Sequence, residues 1–436
     1  MKAGSCHALS RRTLLRLGAA GAFAPFAARA AQASRALSIE LREAAAKGAA
    51  VRLAPGVTPI RTLDLPDSAR LIGAPGGSTL KLVGAGPLIT ARFAKKIVLE
   101  SIAFDASGGY VPREQGILEL SDVFDFSIEG CVFRNSTARA VNLARCGGRF
   151  AGNTIEEARD AGFFSLDGLG VDVDNNKLRR CGDNGAVFWA TSAGRYDGSR
   201  VRGNIVEDIR NLSGGNGPWG NGVLVFAAGG LRVENNKIRR CAYSAVRNNA
   251  GHDVVVIGND CETFGERAMY AEFGAKRSTF QNNKIHDAGA GIGVANADRG
   301  TDGAVVAGNA ITGLRETHPD PEFGPQMMWL TGIVCEKNCD IVGNTIVGPG
   351  WIGIGLGGWR ENLRAEGNRI EGLDYGFAFA TGDGAGDAVI ARNSILGSRK
   401  AAIAATAGLN FLPGDVAETG SARNYPRLRV EDNKTR

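Results

Sequence analysis

The chain has 436 residues, of which 44% are hydrophobic, 22% are charged and 62 are glycine, a glycine share about twice the usual ~7%. This length exceeds a typical compact domain of ~100–150 residues, the apolar content excludes a disordered chain, and no apolar run after the N-terminus is long enough to span a membrane. The formal charge of +6 is concentrated at the start: residues 1–30 carry Lys2, Arg11, Arg12, Arg16 and Arg29 with no acid, so the remainder is near neutral and lacks the global positive field of a nucleic-acid binder.

The first segment reads as an address. Ser10-Arg11-Arg12-Thr13-Leu14-Leu15-Arg16 precedes uncharged, mostly small residues from Leu17 to Ala28, then Ala28-Arg29-Ala30 as an A-x-A-like cleavage site. It resembles a bacterial twin-arginine export signal, which implies removal of residues 1–30 and a periplasmic or secreted mature chain. Residues 31–50 are expected to be a linker and a capping helix. Leu37–Lys47 is amphipathic and stops at Gly48, and a strand and turn follow at Val51–Val57.

From there the chain repeats. An apolar-x-x-Asn-x-apolar pattern recurs at Asn153, Asn176, Asn204, Asn236, Asn259, Asn283, Asn309, Asn344, Asn368, Asn393 and Asn433. A short, recurring interval of this kind marks a solenoid. β-branched residues alternate with polar ones over a few positions, Gly and Asn break each run, and no coil sustains a helical period. The expected fold is therefore all-β: a parallel β-helix of about 13 coils over residues 51–410, about 60 Å long at ~4.8 Å per coil, with residues 411–436 as a C-terminal cap. The Asn column belongs to the scaffold. Each Asn is expected at a tight corner, itself in a left-handed backbone and bonded to the next coil.

Cys131, Cys146, Cys181, Cys241, Cys261, Cys335 and Cys339 remain after processing. Their odd number leaves at least one unpaired, and their spacing fits small buried hydrophobes better than a metal or redox motif. His252, His286 and His318 are scattered, so no metal site is expected.

The opening helix, the strand ending in Pro55-Gly56 and the repeats together make residues 36–433 similar to the pectin-lyase-like superfamily of single-stranded right-handed parallel β-helices. Combined with the signal, the chain resembles the twin-arginine-translocated repetitive proteins. In enzymes of that fold, polysaccharide lyases and hydrolases hold a glycan along one outer strand face between long loops.

A second register locates that face. Eight or nine residues after each Asn, a Gly or Ala opens a strand whose side chains alternate inward and outward. The first outward row reads Phe164, Val187, Leu224, Arg247, Tyr270, Gly293, Val334, Gly355; the second reads Leu166, Trp189, Phe226, Asn249, Glu272, Ala295, Glu336, Gly357. Arg247, Tyr270, Glu272 and Glu336 are the candidate catalytic residues. Trp189, Phe226 and Asn249 are candidate substrate contacts, with a hollow expected over Gly293 and Ala295. Loop insertions at 207–221, carrying Trp219, and 314–330, carrying His318 and Trp329, are expected to wall the groove and add two more contacts.

Two chemistries fit this set. For elimination or epimerisation of a uronate, Arg247 neutralises the carboxylate while Tyr270 exchanges the proton α to it. For inverting hydrolysis, Glu272 and Glu336 stand about 9.6 Å apart, near the upper end of the ~6.5–9.5 Å that mechanism uses. The expectation is a monomeric carbohydrate-active protein acting on an acidic polysaccharide, lyase or epimerase ahead of hydrolase, with a non-catalytic envelope protein binding glycan or protein as the rival. No cofactor is expected. Asp383-Gly384-Ala385-Gly386-Asp387 reads as a turn rather than a Ca²⁺ loop, and Gly353-Ile354-Gly355-Leu356-Gly357-Gly358 reads as strand rather than a dinucleotide loop.

Overall fold

The computed structural model describes residues 11–215, 217–317, 330–382, 385–419 and 421–436. Trp329, His318, Asp383 and Gly384 lie outside the described residues. The architecture is a parallel β-solenoid of about 14 turns, close to the expected 13, and its pairing begins at Val51 with Leu71.

Each turn contributes one strand to each of three columns, and every strand bonds its equivalent one turn away. Phe163 pairs with Ala186, Val173 with Val201 and Leu178 with Val206. Inward side chains form one continuous core from Leu41 to Leu428. Within it, Phe104, Phe133, Phe150, Phe163 and Phe188 form a row of ring contacts with centroids 5.0–5.8 Å apart.

The Asn column forms a ladder between the second and third columns. Asn259 Nδ2 donates to Val233 O at 2.9 Å and to Asn283 Oδ1 at 2.9 Å, while its own Oδ1 accepts from Asn236 N at 3.0 Å and Asn236 Nδ2 at 2.9 Å. The same pattern runs from Asn153 to Asn433. The backbone expectation is corrected by one place. The left-handed residue precedes the ladder Asn: Gly152, Asn175, Gly203, Asn235 and Gly258 all have φ between 53° and 68°. A reversed turn there leaves the following Asn in ordinary backbone, with its amide aimed along the stack.

Both ends are plugged. The N-terminal helix is continuous from Arg11 to Ala46, so the expected linker at 31–36 is helical, in keeping with its alanine content. Leu37 and Leu41 enter the core, and Ala30 and Ser34 are buried too. Ser34 Oγ accepts from Arg61 N at 2.9 Å. The helix ends as expected at Gly48, whose φ is 66°. At the other end, Asp415 accepts from the Ile403 and Ala417 amides at 3.1 and 2.9 Å and ties the helix Val416–Thr419 to the strand Ala401–Ala407. The seven cysteines among the described residues are all buried and form no disulfide.

Candidate functional site

The outward rows stack as the alternation requires. Phe164, Val187, Leu224, Arg247, Tyr270, Gly293, Val334 and Gly355 pair in succession. So do Leu166, Trp189, Phe226, Asn249 and Glu272. The pairs Ala271 with Val294 and Val294 with Cys335 bring Ala295 and Glu336 next in that row.

Stacking does not make the face open. Arg247 is only 4% exposed and Glu272 2%. Arg247 Nε donates to Glu272 Oε1 at 2.6 Å and Nη1 donates to Glu266 Oε2 at 2.7 Å. Burial opposes the guanidinium charge, but Glu266 and Glu272 outweigh it and hold its pKa above the ordinary value. Above it lies the 211–220 loop, where a side chain on Gly217 would collide with the guanidinium. The loop is fastened by Tyr243 Oη to Gly215 O at 2.8 Å and Asn221 Nδ2 to Gly217 O at 2.9 Å. Arg247 is thus enclosed between two carboxylates and a glycine roof, away from any substrate carboxylate.

Tyr270 lies between two cations, with the Cζ atoms of Arg247 and Arg267 at 5.1 and 5.0 Å from its ring centroid. Burial raises its phenol pKa, with Arg267 opposing. The turn Ala297–Arg299 and its preceding Asn296 draw three rungs together. Asn296 Nδ2 donates to Tyr270 Oη at 3.2 Å and to Glu272 Oε2 at 3.4 Å, while Ala297 N donates to Glu336 Oε2 at 2.8 Å. Asn249 Nδ2 reaches Glu272 Oε1 at 3.5 Å. Burial raises the pKa of Glu272 against Arg247, and that of Glu336 against the Ala297 amide and Arg267.

The hollow is displaced. Space over Gly293 is taken by Arg267, whose Cδ would stand 2.7 Å from a Cβ there. The open cleft, about 440 Å³, lies over the next rungs above Gly355, Gly357 and Ala378, with Arg267 and Glu336 at one end and Leu409 and Phe411 among its walls. Gly357 is required, since a Cβ would fall 2.6 Å from Glu336 Cγ.

On the other side, Trp189 and Phe226 stack on each other at 3.9 Å and 22°, so one face of each ring is covered by the other. Trp219 is not beside them. It lines a second cavity, next to Leu212 and Ser213. Trp329 is outside the described residues.

Glu266, Arg267 and Asn296 were not singled out from the sequence. A signal for the first two exists. The residue before the opener is Asn184, Asn221, Ser244 and Thr331 in other rungs, so a Glu-Arg pair there breaks the pattern. The register of that strand also shifts between Phe264 and Arg267, which re-aims both side chains.

A model of the right handed beta helix region matches residues 115–311 and 209–370, together more than half of the chain. No curated protein matches the sequence. Solved structures of similar shape include the A-module of a mannuronan C-5 epimerase from Azotobacter vinelandii, with 17% identity, 92% of this chain and 95% of that one covered, and a TM-score of 0.47. A second is the catalytic unit of an α-1,3-glucanase from Streptomyces thermodiastaticus, at 13% identity, 92% and 65% coverage, and TM-score 0.42. A third is a surface adhesin of Streptococcus pneumoniae, at 11% identity, 87% and 90% coverage, and TM-score 0.38.

Proposed function

Given that the chain belongs to the right-handed β-helix family, we propose that its outward strand face processes an acidic polysaccharide by proton transfer at the uronate ring, as a lyase or epimerase. The supporting observation is that a carboxyl group and a guanidinium, Glu336 and Arg267, border one end of the 440 Å³ cleft, and that the Tyr270 ring packs against Arg267, 5.0 Å from its Cζ. Burying such groups is unfavourable without a compensating use, and perturbed acids in a cleft are the usual sign of one.

In this reading Arg267, itself only 2% exposed, takes the carboxylate-neutralising role expected of Arg247, because the surface it retains borders the cleft whereas Arg247 lies under Gly217. Its charge stabilises the enolate formed when the proton α to the substrate carboxylate leaves. Glu336, whose pKa burial raises, is thereby a stronger base than an ordinary carboxylate and accepts that proton. Tyr270 stays protonated and donates. Donation to the opposite face of the ring inverts the carbon; expulsion of the glycosidic oxygen instead gives an unsaturated sugar. Arg247 and Asn296 act as positioning residues that hold Glu272 and the Tyr270 hydroxyl. Hydrolysis by a Glu272 and Glu336 pair is disfavoured, since Glu272 is closed in by Arg247, Asn249 and Asn296.

We place the mature chain in the periplasm or outside the cell on the strength of the Arg11-Arg12 segment and Ala28-Arg29-Ala30. The closed Arg247 cluster favours a second reading, a rigid glycan-binding face without turnover. The deciding experiment incubates the protein with polymannuronate, polygalacturonate and glucuronan, following ultraviolet absorbance for the unsaturated product and proton NMR for inverted residues. Product that falls at least ~100-fold with Tyr270→Phe or Glu336→Gln supports the proposal. Binding of the polymers with neither change in the wild type overturns it in favour of the second reading.

A further inference from the structure

Away from the polar centre, a cavity of about 680 Å³ opens at the corner that precedes the outward strands of the third to seventh rungs. Its walls come from the segment 110–114, from the corners before Arg139 and Phe163, and from the 211–220 loop. We propose that this cavity is a second, separate binding site for an acidic sugar ring, engaged by the same polymer that the outward face processes. The inference rests on the proposed function for the class of its ligand.

Three observations carry it. First, two aromatic rings border the cavity, Tyr110 and Trp219, and Tyr110 is 55% exposed. Exposed rings beside a polar hollow offer the apolar faces on which pyranose C–H groups pack. Second, the charges there are unevenly engaged. Asp160 is held by Arg139 at 3.3 Å, and Asp183 accepts from the Ser213 amide and hydroxyl at 2.8 and 2.6 Å. Arg113 and Arg159 are exposed and make no ion pair among the described residues, so their guanidinium groups are open to a ligand, with Glu114 and Asp183 as the two carboxylates of the lining not held by an arginine. Two unpaired guanidinium forks suit a carboxylated ring better than a neutral one, since each matches a carboxylate in geometry. Third, the cavity is connected to the polar centre by one structural part. Leu212, Ser213 and Trp219 line it, while Gly217 of the same loop roofs Arg247. A ring bound against Trp219 therefore orders the loop that encloses the centre.

The test is isothermal titration of the wild type, Arg113→Ala/Arg159→Ala, Trp219→Ala and Glu336→Gln with trigalacturonate and trimannuronate, and with maltotriose as the neutral control. The two arginines are exposed, so their replacement leaves the fold intact, which circular dichroism verifies even if Trp219→Ala disturbs its loop. The expected result is binding of at least one oligouronate and none of maltotriose, weakened about tenfold or more in the double arginine variant and retained in Glu336→Gln. Unchanged affinity in the double arginine variant, equal binding of maltotriose, or no oligouronate binding by the wild type overturns the inference. The two proposals fail separately. Oligouronate binding that depends on Arg113 and Arg159 without turnover of any polymer sinks the proposed function alone, whereas turnover with binding indifferent to these arginines sinks the second site alone.

Discussion

Arg247 carries a charge in surroundings that penalise charge, and its two carboxylate partners are what make that tolerable. Replacing it with an apolar residue leaves Glu266 and Glu272 buried and uncompensated. Arg247→Met is expected to lower stability by about 3–5 kcal/mol, and Arg247→Met with Glu266→Gln and Glu272→Gln to recover most of it. Denaturant midpoints at constant slope measure both. Glu336 gives a pH signature of known sign. Burial lifts its pKa in the folded chain, so the unfolded chain loses that proton first. The contribution of Glu336 to stability is therefore greatest in acid and falls once pH passes the ordinary glutamate value of about 4.3, until Glu336 itself ionises. Glu336→Gln, which keeps an acceptor for the Ala297 amide, should show a melting temperature advantage that is absent in acid and grows toward neutrality. A constant difference at every pH would contradict this. Alternation along each strand made the grouping of Arg247, Tyr270, Glu272 and Asn249 legible from the sequence, because equivalent positions stack. It says which side a residue faces and nothing about what covers that side. The Gly217 roof and the arginine lying across Gly293 come from loop paths and a register shift, which periodicity does not encode.

At the scale of a single element, the Asn ladder shows how one side chain serves three turns. Asn259 satisfies both a buried amide and a carbonyl of the turn before it, while its own amide is satisfied by the turn after it. Asn259→Ala strands the Asn236 amide in the interior and is expected to cost about 2–4 kcal/mol, whereas Asn433→Ala at the partly exposed last rung should cost about 1 kcal/mol or less because water replaces the lost partner. Equal losses at the two positions would mean that the ladder contributes through turn shape alone. The repeat of the Asn was visible in the sequence, but its backbone was not. The left-handed residue one place earlier is Gly or Asn in most turns, with Arg392 and Asp432 in the last two, and Gly and Asn tolerate that conformation. The letter Asn alone does not say which of two adjacent positions carries the reversed turn.

The whole molecule is a stack with two open apolar ends, and its stability depends on both being closed. Leu41 is buried beneath the N-terminal helix against Val51 and Leu63 of the first turn. Leu41→Asp is expected to detach the helix and yield a chain that aggregates at the exposed end, detected by light scattering and by loss of helical signal without loss of the β signal. A soluble monomer with intact helicity would show that the helix is dispensable. Export is tested separately: Arg11→Lys/Arg12→Lys should leave the folded protein in the cytoplasm, which cell fractionation reads.

The seven buried thiols bear on how such a chain is made. Burial pushes the pKa of Cys131 and Cys181 up to about 12 and that of Cys146 to about 11, so they are protonated and inert toward oxidants at physiological pH. No cross-link has to be formed for the stack to close. Assembly can finish under reducing conditions without an oxidoreductase, which fits the twin-arginine route proposed above, where the completed rod travels as cargo rather than as a thread.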